Sequence, residues 1–423
     1  MDRHPLPSIS RLRALGVAAL VLLAGNLTAC AQTAGASPTY YFSDCQAGAA
    51  PGCVPGNNGN SGTRPDAPKQ TLAGFNINGL PAGSKLLFAR GGVWNHSLVR
   101  IDNRRVSAEQ PLVLDAYGDG PAPVFKVAKT YAFEFGTWQN TELDGGYVFR
   151  NLKLDGQGTA EWGFWLRGAL RDVVIENTEI TGFAIAINSQ GGDPISHITV
   201  RNSKIVRNHD MGVLGHFNDS VFEGNQFVEN NARGSTFSHA LYLSGGNRNK
   251  IKGNLFLNNS VVNGECRGGN VTMHGQMDTM LIEDNLISQA KASDGCFGFS
   301  ITTGYNTPEW FRNFTVRNNT VINVGGCAIC ADAVQNFVVE GNRVFQDHDR
   351  WHYAILIRNT EQPNDAPNAN VVIRNNTACF KESRGNQKLA AISFQGAQST
   401  ANNTLTGAAA AGGACTRPVA SAR

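Results

Sequence analysis

"VVIENTEITG" (residues 173–182) and "ITVRNSKIVRN" (198–208) are two copies of one phrase: a short apolar strand, an asparagine, a second short apolar strand. The phrase returns in "VFEGNQFVEN" (221–230), "KIKGNLFLNN" (250–259), "LIEDNLISQA" (281–290), "FTVRNNTVINV" (314–324), "FVVEGNRVFQD" (337–347) and "VVIRNNTACF" (371–380). Its asparagines are Asn177, Asn202, Asn225, Asn254, Asn285, Asn318, Asn342 and Asn375, with separations of 23 to 33 residues. Self-similarity at that period indicates a stacked solenoid. Asparagine tolerates the left-handed conformation at a sharp bend and bonds through its side-chain amide. Stacked in register, successive amides would form a ladder and satisfy polar groups that a buried bend leaves open.

Between these phrases lies a third strand, as in "GFWLRG", "FAIAINS", "ALYLSG", "NVTMHG", "GFSITTG", "AICADA" and "YAILIR". Three short strands per coil with an asparagine ladder resemble the right-handed parallel β-helix of the pectate lyase-like superfamily. The resemblance covers residues 85–407. The stretch "GNNGNSGTRPDAPKQTL" (56–72), with "LPAGSKLLFARGGVW" (80–94), is similar to the leading segment of that superfamily. It implies an all-β solenoid. It leaves the activity open, because the fold hosts several chemistries and a few inert adhesins.

Composition agrees with the fold. The 423 residues include 47 glycines, and 16% are charged, which favours a β or repeat architecture over a helical one. A net charge of +3 with no basic run argues against nucleic acid as a partner. At the N-terminus Arg3, Arg11 and Arg13 precede the apolar stretch "ALGVAALVLLAG", too short for a membrane span. It leads into "LTAC" (27–30), which resembles the bacterial lipoprotein box. That resemblance implies cleavage before Cys30 and lipid attachment to its sulfur, so that the membrane is a partner through the anchor. An ordinary secretory peptide cut after Ala29 or Ala31 is the alternative. Either way the mature protein is expected to be exported, and Ala31 is compatible with the outer membrane or periplasm. The expected organisation is a signal peptide (1–29), a tether (30–39), an N-terminal cap segment (40–84), the β-helix (85–407) and a C-terminal tail (408–423), acting as a monomer.

Eight further cysteines, an even number in an exported chain, suggest disulfides. Cys45–Cys53 would close a small loop and Cys379–Cys415 would pin the C-terminus. Cys327-x-x-Cys330 has a redox or zinc reading, but no second CxxC or thioredoxin-like pattern accompanies it.

Side chains along a strand alternate between faces. With Leu166, Leu214, Leu243, Met273, Ile301, Ile329, Ile357 and Phe394 inward, the outward set includes Trp165, Arg167, Asn188, Tyr242, Ser244, Thr272, His274, Thr302, Asp332, Arg358 and Gln395. Coils stack about 4.8 Å apart, which makes Tyr242 and His274 neighbours and gives roughly one sugar ring per coil. A long polar face with aromatic rings suits an extended glycan. The longest loops bring Arg233, His239, Glu265, Arg267, Asp294 and His348 to its edge. His239 has inward parity, so bonding a neighbouring backbone group is its plain alternative. "DHDRWH" (347–352) has a metal-ligand reading, with a polar turn as the stronger one.

The residue types favour elimination on a uronic-acid polymer over hydrolysis. Hydrolysis needs two carboxyl groups facing one bond, and the central face offers Asp332 alone, with Asp210, Asp219 and Asp294 near loops. Elimination needs a cation for the sugar carboxylate, a base for the proton beside it and an acid for the leaving oxygen. Arg267, His274 or His239, and Tyr242 fit those roles by type. Trp165, Arg167, Asn188, Ser244, Thr272, Thr302, Asp332 and Arg358 are the expected substrate-binding residues. No cofactor or metal is expected, since the calcium-binding carboxylates of the pectate lyases have no match, though Ca2+ stays open. Glycoside hydrolysis, C5-epimerisation, which starts with the same proton abstraction, and exopolysaccharide binding without catalysis remain the alternatives.

Overall fold

A typical coil runs through Ser196–Arg201, Lys204–Val206 and Met211–Gly215, and the next through Val221–Glu223, Gln226–Val228 and Leu241–Leu243. Each strand pairs in parallel with its counterpart one coil on: Phe222 faces Ile251, Phe227 faces Phe256, Leu241 faces Val271. First strands build one parallel sheet from Thr39–Phe42, through Lys85–Ala89, to Gln398–Ala401. The segment 40–84 thus carries a strand of the same sheet. The computed structural model describes residues 37–45, 49, 51, 53–96, 98–136, 141–189, 195–235, 237–348, 353–360, 362–382, 388–392, 398–408 and 415–418. The anchor expected at Cys30, and Phe394 and Gln395, lie outside them. The fold is the right-handed parallel β-helix that the repeats imply, with three strands per coil.

The core is a column of apolar files. Phe222, Ile251 and Ile282 are fully buried in one file, and Phe227, Phe256 and Ile287 in another. The rings of Phe227 and Phe256 stack at 4.7 Å with planes 9° apart, a spacing that matches the coil repeat.

The ladder at the first corner differs in one respect from its reading in the sequence. Asn254 Oδ1 accepts from the Asn225 N–H (2.9 Å) and from its Nδ2 (3.0 Å). The same pair of bonds links Asn254 to Asn285, Asn285 to Asn319, Asn319 to Asn342 and Asn342 to Asn376. Asn177, Asn202, Asn318 and Asn375 stand one residue before that file, at φ values of 45°, 51°, 56° and 57°. The bend takes two special residues in succession: one in the left-handed region, then one whose side chain points inward to the ladder. Gly224, Gly253 and Gly341 fill the first position in other coils. Where asparagine fills the first position, the ladder residue is Thr178, Ser203, Asn319 or Asn376 instead. A second buried amide ladder, Asn208 to Asn230 to Asn259, stitches the next corner through Nδ2–Oδ1 bonds of 2.9 and 3.2 Å.

The cysteines pair as Cys45–Cys53, Cys266–Cys296, Cys327–Cys330 and Cys379–Cys415. The CxxC thiols are therefore joined to each other. Cys266–Cys296 ties the antiparallel hairpin of Val261–Val262 and Glu265–Cys266 to the following coil.

Removing the Asn254 amide leaves the buried Asn225 N–H without its acceptor and takes one of two acceptors from the Asn225 Nδ2. Asn254→Ala is expected to cost about 2–3 kcal/mol in denaturant unfolding. Asn202→Gly, at the outer bend position, should stay within about 0.5 kcal/mol of wild type, because glycine adopts its φ freely.

Candidate active site

Strand register fixes which side chains share a face. Trp165 faces Asn188, Asn188 faces Leu214, Leu214 faces Tyr242, Tyr242 faces Thr272 and Thr272 faces Ser300. This corrects one expectation: Leu214 belongs to the outward file, and Val213, aligned with Leu241, fills the core. A second outward file follows two residues on. There the N–H groups of Ser244, His274, Thr302, Asp332 and Arg358 each bond back to the preceding coil. Facing outward is not the same as being exposed. Asn188, Thr272 and Asp332 are 1%, 3% and 0% exposed, and Arg167 and Thr302 are also buried. They form the buried layer of this face, on which Tyr242, Ser244, His274 and Arg358 keep partial exposure.

At the centre four rings meet. His239 stacks on Tyr242 at 5.4 Å with planes 9° apart. Tyr242 lies 5.6 Å from His274, and His274 lies 5.2 Å from Tyr305. The Tyr242 and Tyr305 hydroxyls are hydrogen-bonded to each other, which closes the cluster. Tyr305 stands on the 302–309 turn that follows the strand Phe297–Ile301.

Glu309 holds this turn from beneath. Its carboxylate is fully buried and accepts the N–H groups of Gly275, Gly304 and Tyr305. Its Oε1 lies 3.7 Å from His274 Nδ1, close enough for charge to act but beyond a hydrogen bond. The Glu309 N–H is in turn accepted by Asp365 Oδ1 at 2.9 Å. Gly304 is dictated by close approach: a Cβ there would sit 2.7 Å from His274 Cε1.

Burial pushes the His274 pKa below its ordinary 6.5, although the Glu309 charge pulls it back up. Burial therefore favours the neutral ring, whose Nδ1 is buried on the Glu309 side. His239 is pushed down to about 4 by burial, with His274 contributing. His239 Nδ1 accepts the Gly269 N–H at 3.2 Å, so the neutral ring carries its proton on Nε2. Burial and the Tyr305 hydroxyl raise the Tyr242 pKa, which keeps its phenol protonated. Asp332 is raised by burial, against the Thr303 N–H and the Arg358 guanidinium that favour its charge. These two bonds, at 2.6 and 2.8 Å, engage both of its oxygens.

The remaining expected residues divide. Trp165 and Arg167 lie at the N-terminal end of the groove, with the guanidinium 4.0 Å from the Trp165 ring centre and paired to buried Glu134. Arg267 is exposed on the hairpin, with Glu265 3.7 Å away. Arg233 pairs with Asp210. His348 Nε2 contacts the Ala290 carbonyl oxygen at 3.0 Å, while residues 349–352 of "DHDRWH" lie outside the described residues. Among the described residues no three His, Cys, Asp or Glu side chains gather as a metal site.

Reading the sequence missed Tyr305 and Glu309. The signal available was "TTGYNTPEW" (302–310), a polar turn holding one acid and one tyrosine directly after the strand that packs against His274.

No protein-family model matches the chain, and no curated protein matches it. Solved structures do. The Azotobacter vinelandii mannuronan C-5 epimerase AlgE4 A-module aligns with a TM-score of 0.55 at 16% identity, over 77% of this chain and 87% of that one. PfbA, a surface adhesin of Streptococcus pneumoniae, aligns at 0.55 with 12% identity, over 78% and 83%. A GH136 lacto-N-biosidase from Eubacterium ramulus aligns at 0.50 with 14% identity, over 87% and 67%. At these identities the likeness establishes the fold and leaves the chemistry to the groove.

The depressed His239 pKa carries a stability consequence. Between its folded value of about 4 and the unfolded 6.5 the unfolded chain binds the extra proton. Its contribution is thus fully present above pH 6.5 and is lost as pH falls towards 4, by about 3 kcal/mol at most. Urea unfolding of His239→Gln at pH 7.5 and pH 5 should show a smaller acid loss than wild type.

Proposed function

We propose that this chain is an exported polysaccharide-active enzyme, lipid-anchored through Cys30, that cleaves an acidic, uronic-acid-containing exopolysaccharide by β-elimination. The observation that carries this reading is the pairing of a partly buried His274 with Tyr242, ring centres 5.6 Å apart, on one outward face, with burial favouring the neutral imidazole and the protonated phenol. In this reading a His274 ring nitrogen takes the proton from the carbon beside the sugar carboxylate. That electron pair forms the new carbon–carbon double bond, and the carbon–oxygen bond to the next sugar breaks. The Tyr242 hydroxyl, held in place by its hydrogen bond to Tyr305, gives its proton to the departing oxygen. Arg267 is the cation assigned to the sugar carboxylate, and His239 supports the Tyr242 ring.

Hydrolysis is less favoured. The two carboxylates nearest the cluster, Glu309 and Asp332, are both fully buried and bonded to backbone N–H groups, so neither faces a scissile bond. Epimerisation needs the same base and a proton returned to the opposite face of the same carbon. A fungal or bacterial uronan that is inverted but not shortened would mark it.

The test is incubation with a panel of acidic polysaccharides, followed at the absorbance of unsaturated uronate ends. His274→Ala should lower turnover about a hundredfold to ten-thousandfold, with folding retained, and Tyr242→Phe should slow it as well. Because the base must be neutral, activity should hold above pH 7 and fall only on acidification below the ordinary histidine value of 6.5. The raised Tyr242 pKa predicts no matching alkaline loss up to pH about 9. New reducing ends without absorbance would instead indicate a hydrolase, and near-normal turnover by His274→Ala would remove it as the base.

A further inference from the structure

The aromatic group at the N-terminal end of the groove has no part in the chemistry above. Tyr131 and Trp162 stack at 4.7 Å with planes 10° apart. Trp165 meets both edge-on, at 4.7 and 4.5 Å. All three rings are partly exposed, and none belongs to the buried core. Beside them Arg167 and Arg100 both pair with the single buried carboxylate of Glu134. Glu161, bonded to the Tyr131 hydroxyl, brings a second carboxylate to the group, and Arg100 is 55% exposed at its side chain.

The register links this group to the ring cluster. Trp165, Asn188, Leu214 and Tyr242 occupy one outward file on successive coils. Three coil steps of about 4.8 Å separate Trp165 from Tyr242 by roughly 14 Å. An extended chain with about one sugar per coil therefore needs some four units to touch both.

We propose that Tyr131, Trp162 and Trp165 form a second sugar-binding subsite, so that the groove engages an acidic polymer of at least about four units rather than a short oligosaccharide. The aromatic surfaces suit the apolar C–H faces of a sugar ring, and the exposed Arg100 guanidinium suits its carboxylate. This rests on reading the groove as a site for an acidic polysaccharide, but not on the elimination chemistry. Trp162 and Tyr131 supply the contact surface, and Arg100 the exposed charge.

Binding of alginate and polygalacturonate, each as long polymer and as trimer, tests this by calorimetry in a His274→Ala background where turnover does not interfere. Trp162→Ala is expected to weaken polymer binding about tenfold, with trimer binding and the melting temperature unchanged. Tyr131→Ala should act in the same direction and decides the matter should Trp162→Ala melt the protein. Unchanged polymer affinity in these variants overturns the subsite, as does a parent protein that binds trimer as tightly as polymer or binds neither polymer. The unsaturated-end assay on wild type is read separately. Length-dependent binding that these variants weaken, with no unsaturated ends formed, would refute the lyase and keep the subsite.

Discussion

Coil-to-coil register is the constraint on which this molecule depends. Apart from the Val261–Val262 and Glu265–Cys266 hairpin, the described strands hydrogen-bond to counterparts on neighbouring coils, so the stack has one permitted alignment. The buried amide ladder enforces it at the corners. Each asparagine spends its side chain on the coil before and the coil after, as Asn254 does on Asn225 and Asn285. A slip by one residue would break these bonds and expel the phenylalanine files from the core.

The groove inherits its geometry from that alignment. His239, Tyr242, His274 and Tyr305 come from three successive coils and meet because the coils repeat at ring-stacking distance. Loops rising from the same coils can vary without disturbing the register beneath them. Glu309 shows how the two are joined. Its buried carboxylate fixes the turn bearing Tyr305 and places a charge beside His274, while its backbone N–H is held by Asp365. The low pKa values of His239 and His274 follow from the same enclosure, since burial is the largest cause for each.

Most of the fold was legible because a solenoid writes its period into the chain. The repeating strand–asparagine–strand phrase carried both the architecture and the pairing of Tyr242 with Thr272 and its neighbours. The ladder was off by one residue in half the coils because two adjacent positions of the bend both accept asparagine, for different physical reasons. Leu214 was misplaced because an apolar residue was taken to be inward, whereas here a leucine lies on the outward face at 8% exposure. Tyr305 and Glu309 were not visible, since a polar turn gives no periodic signal and a buried acid looks like a surface one. Trp162 escaped notice because it lies just before the segment "GFWLRG" (163–168) that was aligned.

The account turns on the outward face that carries Trp165, Tyr242 and His274 being where an acidic glycan lies. Crystallography of His274→Ala soaked with a uronate tetrasaccharide tests that directly. The account predicts a sugar chain along the file, with one ring against Tyr242 and its carboxylate-bearing carbon at the space vacated by the imidazole. A sugar chain bound instead on the outer face of the sheet of first strands would contradict it.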